Sequence, residues 1–273
     1  MRVKKVLFIV LFIVFFLVLS SQSGIAGKDL LFKSLSGNVF EPRIGSFYQM
    51  EEKKLRLDIG ASFDIFSFLE NEKEEYRLGV DFFTFTRLRT ESNFKFPVET
   101  SDYFFGINHS AKTTIFGEEF FYRLRLAHIS SHLVDGYSKN DIFKKPTFVY
   151  SREFATLTIA KYFLDGLRGY ITLDYVFSMQ PDDAEPMIAA IGFDYEKQFN
   201  EFLSLIAGYE FKMIGFDGTY FGNMSGQIGL LAKSFDFAGL FLGFYSYNGK
   251  SMHGMFYYEH DQYLGFGFQI YFF

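Results

Sequence analysis

The segment RLRLAHISSHLVDGY, residues 123–137, carries a histidine, a serine and a second histidine at alternate positions. In an extended strand, His128, Ser130 and His132 all point to one face. A serine hydroxyl is a weak nucleophile until a base takes its proton, and a carboxylate that orients the base completes the arrangement. His-x-Ser on one face supplies two of those three parts. The third has a candidate in VYSREFATLTIA, residues 149–160, where Ser151 and Glu153 share a face with Ala155, Leu157 and Ile159. An antiparallel pairing that sets Ser130 against Ser151 puts His128 opposite Glu153. Directly opposed residues have Cβ atoms about 4.5–5.5 Å apart, so Ser, His and carboxylate would meet.

Two other readings of the same residues stand beside this one. Ser131, His132 and Arg152 are read as polar residues at a rim, and His128 and Ser130 could be the same. A metal is the other. His128, His132 and Asp135 carry ligand atoms, although two histidines four apart on a strand converge poorly on one ion. Asp135, Asp141 and Ser151 offer hard oxygen ligands of the kind that suits calcium. His109, His253 and His260 are single residues, read as surface or rim positions.

Which reading applies depends on the elements that hold these side chains. The chain has 273 residues, no Cys and no Trp, but 40 Phe and 18 Tyr. Without cysteine there are no disulfides, no thiolate chemistry and no zinc–cysteine sites. The net charge of −5 is mild and the basic residues are scattered, so nucleic acid is not an expected partner. Arg2, Lys4 and Lys5 precede the apolar run VLFIVLFIVFFLVL, residues 6–19, and small residues follow up to SGIA. A basic start, a short apolar run and small residues before a cut describe a secretory signal peptide over residues 1–26, with cleavage after Ala26. The run falls short of the roughly 20 residues a spanning helix needs.

Residues 27–273 read as one all-β domain. LRLDIGASFDIFSFL, 55–69, puts Leu55, Leu57, Ile59, Ala61, Phe63 and Ile65 on one side and Arg56, Asp58, Gly60, Ser62 and Asp64 on the other. The same alternation marks strands near 76–89, 102–115, 119–130, 147–162, 168–179, 186–196, 201–213, 222–233, 237–248 and 262–273. NVFEPRIGSFYQM, 38–50, is a weaker candidate for a first strand. Strands this long, apolar on one face and polar or glycine on the other, fit an antiparallel transmembrane β-barrel of about twelve strands. In lipid every backbone group must pair within the sheet, so the barrel must close. Short turns such as FGE and DGLR alternate with longer loops, as expected for an outer-membrane barrel with both termini on the periplasmic side. Arg56, Asp58, Asp81, Arg123, Arg125, Asp194 and Glu210 are assigned to a lumen that is plugged or very narrow.

The alternation answers the question the first segment raises. His128 and Ser130 share the face of Leu124 and Leu126, the lipid face, at the strand's external end.

HISSHLVDGY and YSREFATL, with FEPRIGSFYQ upstream, resemble the bacterial domain of unknown function numbered 1207, over most of the mature chain. That resemblance brings no activity. The His-x-Ser site is more distantly similar to outer-membrane phospholipase A, also a twelve-stranded barrel, and to lipid A 3-O-deacylase. On that pattern His128 is the base, Ser130 the nucleophile and Glu153 the orienting acid. The phospholipase has Asn as its third member and H-x-S-N where this chain has Ser131. The terminal strand YLGFGFQIYFF, ending on Phe273, resembles the sorting signal read by the barrel-insertion machinery. The sequence thus leads to a bacterial outer-membrane barrel. Its leading function is acyl-ester hydrolysis on membrane lipid. The alternative is a non-enzymatic barrel: a narrow pore, a receptor or a membrane-structural protein.

Overall fold

The computed structural model of the chain describes residues 24–25, 30–71, 73–235 and 238–272. Most of the expected leader and the C-terminal Phe273 lie outside the described residues. The strands are β1 Ile44–Gln49, β2 Lys54–Glu70, β3 Glu74–Arg89, β4 Val98–Ile115, β5 Glu118–Leu133 and β6 Tyr150–Leu164. They continue as β7 Leu167–Gln180, β8 Met187–Asn200, β9 Leu203–Phe216, β10 Thr219–Phe235, β11 Ala238–Lys250 and β12 His260–Phe272. Each pairs antiparallel with its sequence neighbours, and β12 pairs with β1 at Phe266–Tyr48 and Ile270–Ile44. The chain is therefore a closed, twelve-stranded antiparallel barrel, with the two-residue strand Gly24–Ile25 added to β2.

The faces follow the alternation. Ile171, Leu173, Ile191, Leu242 and Phe244 on the outside are each about half exposed, whereas Arg56, Asp81, Arg123, Asp174 and Glu210 on the inside are buried. An apolar belt of this extent is foreign to a soluble monomer and natural in a bilayer. One end of the barrel carries tight connections such as Phe116–Gly117 and Asp165–Gly166, and the other carries 90–97, 134–149, 181–186 and 251–259. Between β9 and β10 the long-loop end carries only a two-residue hairpin turn. Asp217 and Gly218 both have positive φ, 48° and 75°, the backbone a type I′ turn requires.

The first strand is shorter than the 38–50 segment suggested. Only Ile44–Gln49 joins the wall; residues 30–43 run inside the barrel. Pro42 has no N–H for a ladder, and the neighbouring polar groups find partners on the inner wall. Arg168 donates to the carbonyls of Lys33 and Ser34, both at 2.9 Å. Ser36 N–H donates to Asp194 at 2.7 Å, and Asn38 donates to Glu210 at 2.9 Å. Arg123 and Arg125 both meet Glu41, and Arg56 donates to the Val39 carbonyl at 2.9 Å. Phe32 lies under the guanidinium groups of Arg123 and Arg168, 4.6 and 5.4 Å from its ring centre. Gly37 lies hard against the wall: an added Cβ there would sit 2.5 Å from the Tyr209 carbonyl carbon. Ser225 donates to the Gly37 carbonyl at 2.7 Å.

The long-loop end is closed as well. Residues 251–259 fold into the mouth, where His253, Met255 and Phe256 are no more than 2% exposed. Arg87 lies 3.5 Å over the Phe256 ring. Luminal voids beside Arg43 and beside Arg125, of about 10 and about 20 Å³, have room for about one water each. Among the described residues, 30–43 and 251–259 occupy the lumen and its mouth.

Candidate active site on the lipid-facing wall

Strands β5 and β6 pair in the register that sets Ser130 against Ser151 and His128 against Glu153. All four side chains point outward, toward the long-loop end, on the same face as Leu124 and Leu126. The register holds because apolar residues fill that face below: Leu124 opposes Leu157, and Leu126 opposes Ala155. A slip of one residue would turn every one of them inward.

His128 Nδ1 lies 2.9 Å from Glu153 Oε1. An ionised carboxylate can only accept, so Nδ1 carries the proton and Nε2 of the neutral ring is left as the basic nitrogen. Ser151 Oγ donates to the same Oε1 at 2.8 Å. The imidazole and the carboxylate keep 41% and 31% of their surface, so both are accessible from outside the barrel. Ser130 lies one step nearer the rim than His128 on the same face, and its hydroxyl is not hydrogen-bonded to the imidazole here. Hydrogen bonds of this kind are often long before substrate binds.

The remaining sequence candidates go elsewhere. Ser131 points into the lumen, 1% exposed, where its Oγ accepts the Met255 N–H at 3.1 Å. Arg152 also turns inward, over the rings of Phe40 and Phe154. His132 stays outside, with its ring 6.0 Å from that of Tyr103. Asp135 Oδ1 accepts the Gly136 N–H at 2.9 Å, Asp141 lies in the next turn with φ 62°, and the Ser151 hydroxyl is engaged with Glu153. Among the described residues, no group of three or more His, Asp or Glu side chains is disposed to hold a metal ion.

Two features were hidden from the sequence. A β-bulge interrupts the β6–β7 ladder between Val176 and Ser178. Strict alternation places Ser178 in the lumen; the bulge turns Phe177 and Ser178 outward together, both exposed. Ser178 then opposes Glu153 on the outer face. The other feature is His253, which is neither a surface nor a rim residue. It is buried in the mouth against Asp102, at 2.7 Å.

A family model described as "Protein of unknown function (DUF1207)" matches residues 52–273. The match takes in β2–β12 and both halves of the His128–Glu153 pair; FEPRIGSFYQ lies before it. Among solved structures, the chain is similar to "OmpT (in-vitro folded), an outer membrane protein of Vibrio cholerae". The two share 10% identity at a TM-score of 0.35, over 85% of this chain and 95% of that one. No curated protein matches the chain.

Proposed function

The chain belongs to the DUF1207 family of proteins of unknown function, and we propose that it is an outer-membrane barrel that hydrolyses acyl esters of membrane lipid at its lipid-facing rim. One observation carries this reading: His128 Nδ1 and Glu153 Oε1 are 2.9 Å apart on the outer wall, with Ser130 on the same face. A buried ion pair in the lumen needs no substrate to explain it. A histidine–carboxylate pair on the face that meets lipid joins no such network: Ser151 donates to its carboxylate, and the imidazole Nε2 is left open.

In this mechanism Ser130 Oγ attacks the ester carbonyl and His128 Nε2 takes its proton. Glu153 stabilises the imidazolium that forms. Collapse of the tetrahedral intermediate expels the alcohol, which leaves with the proton from Nε2, and the acyl group stays on Ser130. Water, deprotonated by the same nitrogen, then releases the fatty acid. Leu124 and Leu126, below the pair on the same face, offer an apolar surface for the acyl chain.

An outer-membrane location is supported by the closed barrel, its exposed apolar belt and the exported character of the N-terminal sequence. The filled lumen weighs against the narrow-pore alternative. Acyl release from phospholipid and lipid A vesicles by the refolded barrel, with and without calcium, tests the reading. Release that depends on Ser130 supports it; its absence from a folded barrel on every substrate ends it.

A further inference from the structure

We propose that Ser178 is a positioning residue for this site, delivered to it by the β-bulge at Phe177; the inference rests on the hydrolase reading above. Glu153 sits in the middle strand of three, flanked by β5 and β7. From β5 comes His128, whose Nδ1–H donates to Oε1. From its own strand comes Ser151, donating to the same oxygen. The third side of the carboxylate faces β7, and in a regular ladder that position would belong to the outward Phe177 alone. Val176 pairs with Phe154, and the next pair is Ser178 with Glu153. One extra residue has been inserted where the ladder passes the carboxylate.

The insertion has a chemical consequence. Bulges turn two successive side chains to one face and re-aim one of them. Here Ser178 is brought out of the lumen to the outer-face position opposite Glu153, from which its hydroxyl can donate to the carboxylate. On a wall that meets hydrocarbon, a carboxylate without fixed donors would turn toward the headgroups and water. With Ser151 donating from its own strand and Ser178 set opposite on the next, it stays beside the imidazole. Ser178 touches neither substrate nor the reacting atoms. It acts through Glu153, which acts through His128.

The test compares acyl release by the wild-type barrel, Ser130→Ala, Ser178→Ala and Ser178→Thr, each folded by the criterion of heat-modifiable migration in gels. Ser178→Ala is expected to lower kcat by roughly tenfold, the cost of one hydrogen bond to a charged group, with KM unchanged. Ser178→Thr keeps the hydroxyl and should restore most of the rate. Ser130-dependent release with an unaltered kcat in Ser178→Ala would overturn this inference and leave the hydrolase standing. So would a loss that Ser178→Thr fails to restore. No release by wild type removes both.

Discussion

His253 Nδ1 lies 2.7 Å from Asp102 Oδ2, and the other oxygen of Asp102 accepts the Gly254 N–H at 2.7 Å. These residues are far apart in sequence, one on β4 and one in the last long loop, and both are 2% exposed or less. One carboxylate thus fastens a whole connection inside the barrel mouth. Asp102→Ala leaves an imidazole N–H and a backbone N–H without partners, at about 1–3 kcal/mol each. Limited proteolysis of the embedded barrel should then cut within 251–259, where the wild type resists.

The middle of the lumen makes a parallel prediction. Glu41 is the carboxylate that Arg123 and Arg125 share. Glu41→Gln keeps the shape and removes the charge, leaving Arg123 without its counter-ion in a buried site. Breaking a buried pair from one side costs about 3–5 kcal/mol, so the variant should unfold at lower denaturant. Its plug should also loosen. Planar-bilayer recordings should show ion flow through the variant and none through wild type.

Gly37 offers a steric version of the same test. A side chain there meets the Tyr209 backbone at 2.5 Å, and backbone in a closed wall cannot move aside. Gly37→Val should displace residues 30–43 while the barrel still folds. The reading is an open-channel conductance larger than that of Glu41→Gln, since every contact of the segment is lost together.

Much of this architecture was legible in the sequence, and for one reason. A wall that meets lipid on one side and a charged lumen on the other forces strict alternation, so Leu55 to Ile65 and Leu264 to Phe268 declare their faces. The same parity put His128 and Glu153 on one face; the register that sets them opposite each other was an assumption there and is seen in the structure. Parity fails where the ladder is irregular. Nothing in YVFSMQ announces the bulge that turns Ser178 outward, because Phe177 suits either face. It fails too where a segment leaves the sheet. Residues 38–43 can be read as strand, and only the charges waiting on the wall, Arg56, Glu210 and Arg123, show that they belong inside. His253 was beyond reach because its partner Asp102 is close only once the barrel has closed.

Ser151 competes with Ser130 for the role of nucleophile, since it also stands on the outer face next to the pair. Its hydroxyl already donates to Glu153, which points its proton away from the imidazole. Ser151→Ala should therefore reduce acyl release by roughly tenfold, the scale of one hydrogen bond to a charged group, without abolishing it. Covalent labelling by a fluorophosphonate should be kept in Ser151→Ala and lost in Ser130→Ala.

The most direct measurement is fatty-acid release from defined phospholipid and lipid A bilayers by the refolded barrel, wild type against Ser130→Ala. The account predicts release by the wild type that falls to background in the variant, with both proteins equally folded. Equal release by the two, or none from either, would contradict it.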